Sequence, residues 1–114
     1  MQAETVISAL GALAQEHRLA AFRLLVQAGV DGLAAGAIAD RLGVPASSMS
    51  FHLAQLGHAG LVSQRRQSRS IIYTADYAAM NRLMGYLTEN CCEGVPCTAG
   101  ADCSTSSISE RNAA

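Results

Sequence analysis

With 114 residues, the chain fits a single domain, and its 50% hydrophobic content is enough for a buried core. Aromatic residues make up only 4%, which disfavours a β-sandwich and favours helices packed through Leu, Ala, Ile, Val and Met. The formal net charge of -1 is not that of a strongly basic nucleic-acid-binding protein, and no apolar run approaches the ~20 residues of a membrane span.

The charge is divided unevenly along the chain. Residues 1–88 carry seven Arg against five acidic residues, a net of +2, whereas residues 89–114 carry Arg111 against four acidic residues, a net of -3. The chain has no Lys, so a cationic phosphate contact must come from Arg or a protonated His. A mildly basic body with an acidic tail suggests a nucleic-acid partner for the body.

The cellular compartment follows from the N-terminus and the cysteines. The first residues lack the basic segment and apolar run of a signal peptide, so we expect a cytoplasmic protein with no membrane partner and with reduced thiols. All four cysteines lie in the last quarter of the sequence, where disulfides between them would not connect the elements of a core.

Five helices and one hairpin are predicted from the spacing of apolar residues and from turn residues. The helices are predicted at 4–15, 16–28, 35–42 and 47–58, with a fifth beginning after Asp76 as its N-cap. The runs 61–66 and 69–74 are β-branched and polar, and Gln67-Ser68 between them predicts the hairpin turn. The predicted fold class is therefore mainly α with a small β-hairpin.

Helix, short turn, helix and hairpin in this order predict a winged helix-turn-helix. The second helix of that fold enters the major groove by its N-terminal residues, and the wing reaches the DNA backbone or minor groove. The candidate DNA contacts on the helix are Ser47, Ser48, Ser50, His52 and Gln55, and those on the hairpin are Arg65, Arg66 and Arg69. The alternative is a small helical domain whose serine-rich helix is only solvated, and His52 is open between DNA contact and packing.

Over about residues 8–88 the chain resembles the ArsR/SmtB family of bacterial repressors. The resemblance rests on Leu13-Ala14 with Arg18-Leu19, on Ile38-Ala39 with Leu42-Gly43-Val44, on residues 50–56, and on Ala59-Gly60-Leu61-Val62. It implies a homodimer formed by the first and last helices, binding to an operator upstream of a resistance operon, and derepression by a toxic metal ion. Such a dimer would hold two recognition helices about one DNA turn (~34 Å) apart, which predicts a palindromic operator.

The candidate dimer contacts are the apolar residues of the first and last helices. They are Val6, Leu10, Leu13, Met80, Leu83, Met84 and Leu87. The last four are spaced i, i+3, i+4 and i+7, which indicates an apolar seam independently of the resemblance, although a helix buried within its own chain gives the same pattern.

Two sensor sites of this family are absent from the sequence. Residues 33–38 contain no Cys, so the Cys-x-Cys type arsenic site cannot form there, and the last helix offers Asp76 and Glu89 but no His for a zinc site. The remaining soft donors are Cys91, Cys92, Cys97 and Cys103. They resemble the C-terminal Cys-Cys…Cys site of a subgroup of arsenite-responsive repressors.

Trivalent arsenic is thiophilic and favours three thiolates in a pyramid. Cys91, Cys92 and Cys97 are therefore the predicted ligands of As(III) as inducer, with Cys103 as the alternative third thiol. Adjacent residues on an ideal helix point about 100° apart, so the first two thiols converge only if the helix end unwinds. Antimonite or a methylated arsenical would satisfy the same thiolates.

Other functions for the cysteines stay open at this point. A four-cysteine zinc site usually shows paired C-x2–4-C units, which this spacing lacks, and a Cys91–Cys92 redox switch strains disulfide geometry. An enzyme such as a thiol-dependent arsenate reductase is disfavoured, because Glu89 and Glu93 would repel both an oxyanion and a thiolate. The predicted domain division is 1–92 for DNA binding and dimerisation and 93–114 for a flexible cysteine-containing tail.

Overall fold

The computed structural model describes residues 1–94, which contain five α-helices and a three-stranded antiparallel sheet. The helices are α1 Ala3–Leu13, α2 Glu16–Ala28, α3 Ala35–Leu42, α4 Ala46–His58 and α5 Tyr77–Leu87. The strands are β1 Leu33–Ala34, β2 Val62–Gln67 and β3 Ser70–Ala75, and short 3-10 helices cover Gly29–Asp31 and Cys91–Gly94. This order confirms the predicted winged helix-turn-helix.

The core of the unit Met1–Met84 is mainly aliphatic, as the composition predicted, with Phe22 as its one buried aromatic side chain among the described residues. Its largest fully buried side chains are Leu25, Ile38, Met49, Leu53, Leu56 and Leu61. Each buried side chain of this kind contributes about 1.5–3 kcal/mol to folding before entropy is counted. Three of the six lie on α4, so the inner face of that helix is fixed against α2 and α3.

Local hydrogen bonds define where the helices begin and end. Asp76 caps α5 as predicted, because its Oδ1 accepts a hydrogen bond from Ala79 N at 2.9 Å. Gly43 ends α3 in the left-handed conformation, with φ 67° and ψ 32°. The N–H of Val44 then donates to the carbonyl of Ala39 at 3.0 Å, which closes the turn between α3 and α4.

The sheet has one strand more than the predicted hairpin. β3 is central, with β2 on one side and β1 on the other, where Leu33 pairs with Tyr73 and Ala34 with Ile72. A two-residue strand is too short to show alternation, so its sequence carries no signal. The hairpin turn is also one residue later than predicted, at Ser68-Arg69, because Gln67 still pairs with Ser70.

Gly32 allows β1 to approach β3. It has φ 67° and ψ −169°, a conformation essentially restricted to glycine. A Cβ at this position would lie 2.3 Å from the carbonyl oxygen of Tyr73 and 2.6 Å from the Cγ2 of Thr74. The base of the wing therefore depends on the absence of a side chain at residue 32.

The predicted dimer residues divide into two groups by burial. Val6 and Leu83 are only 3% and 6% exposed and pack in the chain's own core, so little of their surface is left for a partner. Leu13 and Met80 are partly buried against that core. The exposed members of the predicted set are Leu10, Met84 and Leu87, and α1 adds Ile7, which is 68% exposed and was not predicted.

Two predictions concern the end of the chain. Of the predicted tail 93–114, Glu93 and Gly94 belong to the second 3-10 helix, and residues 95–114 lie outside the described part of the chain, so the predicted domain division stays a prediction. No helix within residues 1–94 is long and apolar enough to cross a membrane.

Candidate nucleic-acid interface

The outward face of α4 carries the serines that the sequence singled out. Successive residues of a helix are rotated by about 100°, so the burial of Met49 and Leu53 places residues 47, 48, 50 and 51 on the outer side of α4. Ser47, Ser48 and Ser50 are all exposed. Their hydroxyls are available to phosphates or base edges, since the structure places no described residue over them.

Phe51 lies on the same outward face, and sequence reasoning did not include it among the DNA contacts. Its side chain is 58% exposed, on a helix whose other outward residues are small or polar. The signal was present in the sequence, because Phe51 is two positions from both Met49 and Leu53 and therefore about 200° from the buried face.

His52 is held in a network that connects α4 with α2. The Nη1 atom of Arg18 lies 3.5 Å from Nδ1 of His52, and Arg18 Nε donates to the carbonyl of Ala12 at 2.7 Å. The ring of His17 stands 5.5 Å from that of His52, centroid to centroid. His52 is half-buried and therefore packs against its neighbours, whereas its contact with DNA stays a prediction.

Burial, and then the nearby charges of Arg18 and His17, lower the pKa of His52 from its usual 6.5. The folded protein therefore disfavours protonated His52, whereas the unfolded chain takes up that proton as the pH falls below 6.5.

We expect this difference to appear as a pH dependence of stability. The free energy of unfolding should be independent of His52 above about pH 7 and should fall as the pH is lowered from about 6.5 toward the folded-state pKa. Urea denaturation at about pH 7.5 and about pH 5.5 measures it. The His52→Gln variant should lose this component, whereas His58→Gln, which changes an exposed histidine at the end of α4, should keep it; an identical pH response in the wild type and His52→Gln would contradict the assignment.

The three predicted arginines of the wing differ in their surroundings. Arg65 donates from Nη1 to the carbonyl of Val30 at 3.2 Å and from Nη2 to that of Asp31 at 3.0 Å. Its guanidinium thus ties β2 to the 3-10 helix that follows α2. Arg66 and Arg69 are exposed, and neither is hydrogen-bonded or ion-paired to a residue within 1–94.

The first two cysteines follow the end of the last helix. α5 ends at Leu87, Asn90 takes a positive φ of 58°, and the N–H of Cys91 donates to the carbonyl of Thr88 at 2.9 Å. Cys91 and Cys92 therefore belong to a 3-10 helix rather than to a continuing α-helix, and Cys91 is half-buried. Cys97 and Cys103 lie outside the described residues, and no group of three or more His, Cys, Asp or Glu within residues 1–94 is placed to hold a metal ion.

Comparisons with known proteins identify relatives of this chain. The helix-turn-helix domain family matches residues 13–65. The nodulation protein NolR of Rhizobium meliloti is 33% identical over 87 residues, which cover 76% of this chain and 69% of that protein. An ArsR-like transcriptional regulator from Rhodococcus sp. RHA1 superposes with a TM-score of 0.66 at 30% identity, covering 74% of this chain and 76% of that one.

A third relative is known as an assembly. The homodimeric winged helix-turn-helix DNA-binding domain Mb0332 from Mycobacterium bovis superposes with a TM-score of 0.61 at 29% identity. The match covers 81% of this chain and 85% of that domain.

Proposed function

Because the chain belongs to the ArsR family of winged helix-turn-helix transcriptional regulators, we propose that it represses transcription as a homodimer and is released from its operator by As(III). Its membership makes it a DNA-binding regulator and not an enzyme. The single observation that supports DNA recognition by α4 is its outward face, where three exposed serines precede the half-buried Gln55 on the second helix of the helix-turn-helix.

The wing supplies the cations of the proposed interface. Arg66 and Arg69 are exposed on the hairpin. Their guanidinium groups have no hydrogen-bond or ion-pair partner among the described residues, so they are available to bind phosphate. Arg65 is engaged with two backbone carbonyls, so its first effect is to hold the wing in place. Arg65 and Arg66 are neighbours on β2, but Arg66 is proposed to bind phosphate and Arg65 to hold the wing in place.

We expect Arg66→Ala to weaken binding to all DNA sequences and to reduce the slope of log K against log salt by about 0.9, because one phosphate contact is lost. Arg65→Ala should lower the free energy of unfolding and affect that slope less, because its guanidinium is bonded to the protein. Affinity measured over a range of salt concentrations, together with urea denaturation, separates the two effects. An unchanged slope in Arg66→Ala would remove this residue from the DNA-binding surface.

Dimerisation is proposed through α1 and the second half of α5. Ile7 and Leu10 on α1 and Met84 and Leu87 on α5 are large apolar side chains left exposed by the chain's own core. The homodimeric state of the Mycobacterium bovis domain supports the same assembly for this chain. Two recognition helices held about one turn of DNA apart would read a palindromic operator, proposed to lie upstream of a resistance operon.

The proposed inducer site uses Cys91, Cys92 and Cys97, with Cys103 as the alternative third ligand. Soft thiolates select a thiophilic ion such as As(III), and Sb(III) or a methylated arsenical would bind by the same chemistry. The first two cysteines lie just after the end of α5 at Leu87, in a short 3-10 helix. With three residues per turn, this helix places adjacent positions about 120° apart, so the proposed binding requires the turn to unwind.

Binding of arsenite is proposed to act through the helix that precedes the site. Drawing the cysteines together just after α5 would shift this helix at the dimer seam and change the spacing of the two recognition helices. A coupling of about 1–3 kcal/mol, or roughly 5–150-fold in affinity, is enough for derepression. Reciprocity then requires operator DNA to weaken arsenite binding by the same factor.

Titration calorimetry of arsenite with the protein alone and with the protein–operator complex tests this mechanism. We expect weaker arsenite binding in the complex, by the factor with which arsenite weakens DNA binding. Equal arsenite affinities in the two titrations would contradict the allosteric mechanism. Sedimentation of the DNA complex gives the assembly in the same samples, with two chains expected per palindromic duplex.

A further inference from the structure

We propose that Phe51 contacts the C5-methyl group of a thymine in each operator half-site, so that α4 selects thymine by an apolar contact in addition to its hydrogen bonds. The inference rests on the proposed binding of DNA through α4 and adds the base that this helix prefers. Phe51 belongs neither to the polar residues of α4 that are proposed to contact DNA nor to the buried face of this helix.

Phe51 lies on the outward side of α4. Met49 and Leu53 are 0% and 1% exposed, and Phe51 stands midway between them in sequence, on the opposite side of the helix. Ser47, one turn earlier, shares this outward side. Docking of α4 into the major groove would therefore bring the ring to the base edges rather than to the flanking phosphates.

The four bases differ in the groups that they expose in the major groove. The major-groove edges of guanine, cytosine and adenine offer only hydrogen-bonding groups, whereas thymine also offers a methyl group. A phenyl ring has no hydrogen-bonding group, and placing it over polar base edges would leave them desolvated and unpaired. Thymine is the natural base that covers the ring with apolar surface, and the serines beside it, which both donate and accept, distinguish bases less sharply.

Phe51 contacts His52, which in turn is contacted by Arg18. The ring of Phe51 meets that of His52 edge to face, with centroids 5.9 Å apart and planes at 63°. His52 is approached by Arg18 at 3.5 Å, and Arg18 is anchored on the carbonyl of Ala12 at 2.7 Å. An exposed side chain with a fixed neighbour loses less conformational freedom on binding, so the contact with His52 favours the proposed role of the ring.

Replacement of thymine by deoxyuridine, which removes only the methyl group, tests the contact. The probe is a palindromic duplex selected by the protein from random DNA, with each symmetry-related pair of thymines replaced in turn. We expect wild-type affinity to fall about fourfold per half-site at one pair, as for the loss of one buried methyl-sized group. Phe51→Ala should bind the thymine and deoxyuridine duplexes equally at that pair.

Ser50→Ala is the matched control, because it alters a neighbouring outward position and should keep the preference for thymine whatever its overall affinity. If Phe51→Ala binds too weakly to measure, Phe51→Leu should bind with a reduced but measurable preference. No loss at any thymine, or a loss that persists unchanged in the Phe51 variants, would overturn the inference. Failure to select any duplex would instead contradict the proposed function itself.

Discussion

Replacement of Cys91 by Ser is expected to leave operator affinity unchanged and to abolish the release of DNA by arsenite. A serine hydroxyl is a hard donor that stays protonated at neutral pH, so a site that needs three thiolates is left with two. Cys91 begins the 3-10 helix after α5 and is not among the residues of α4 and the wing that are proposed to contact DNA, so we expect operator affinity to be kept. Fluorescence anisotropy of a labelled operator, titrated with arsenite in reducing buffer, measures both properties.

The other cysteines provide the comparison. Cys92→Ser and Cys97→Ser should behave as Cys91→Ser does, whereas Cys103→Ser should keep the response if Cys97 is the third ligand. Loss of the response in Cys103→Ser, with retention in Cys97→Ser, would assign the third thiolate to Cys103. Loss of DNA binding in Cys91→Ser would show instead that this cysteine has a structural role, and the inducer site would have to be abandoned.

Replacement of Gly32 by Ala is expected to be the most damaging single-methyl change in the fold. The residue has positive φ, and the added Cβ would lie 2.3 Å from the carbonyl oxygen of Tyr73, a backbone atom of the central strand that cannot move alone. The strained conformation costs about 1–3 kcal/mol. Overpacking against β3 adds about 1–3 kcal/mol, and displacement of the wing should weaken DNA binding as well.

Gly29→Ala is the matched control for this effect. Gly29 has φ 80° and ψ −162°, close to the angles of Gly32, but its Cβ would meet nothing within 4 Å. Urea denaturation of both variants therefore separates strain from collision, since the strain is common to both. Equal destabilisation by the two substitutions would contradict the close approach of Gly32 to β3.

Much of the fold could be predicted because helical spacing is a repeated signal. On α4, Met49, Leu53 and Leu56 recur at the helical period, and all three are buried. Asp76 was identified as an N-cap from its type and position, and its hydrogen bond to Ala79 N confirms it. The two-residue strand β1 offers no such repetition, because its pairing depends on a chain segment nearly 40 residues away.

The candidate site was less accessible to sequence reasoning. Arg65 was grouped with Arg66 and Arg69 because all three are cations on one hairpin, and only the fold shows that its partners are the carbonyls of Val30 and Asp31. The contact between His52 and Arg18 is likewise a tertiary one, between residues 34 apart. Phe51 has no hydrogen-bonding group that would indicate a DNA contact from its residue type, although its position in the helical period directs it outward.

The proposed release of DNA by As(III) is tested most directly by the anisotropy of a labelled operator bound to the full chain. The complex is titrated with arsenite and with zinc in reducing buffer, and with peroxide without reductant. We expect release by low concentrations of arsenite and retention of the complex with zinc and with peroxide. Release by zinc or peroxide but not by arsenite, or a complex indifferent to all three, would contradict it.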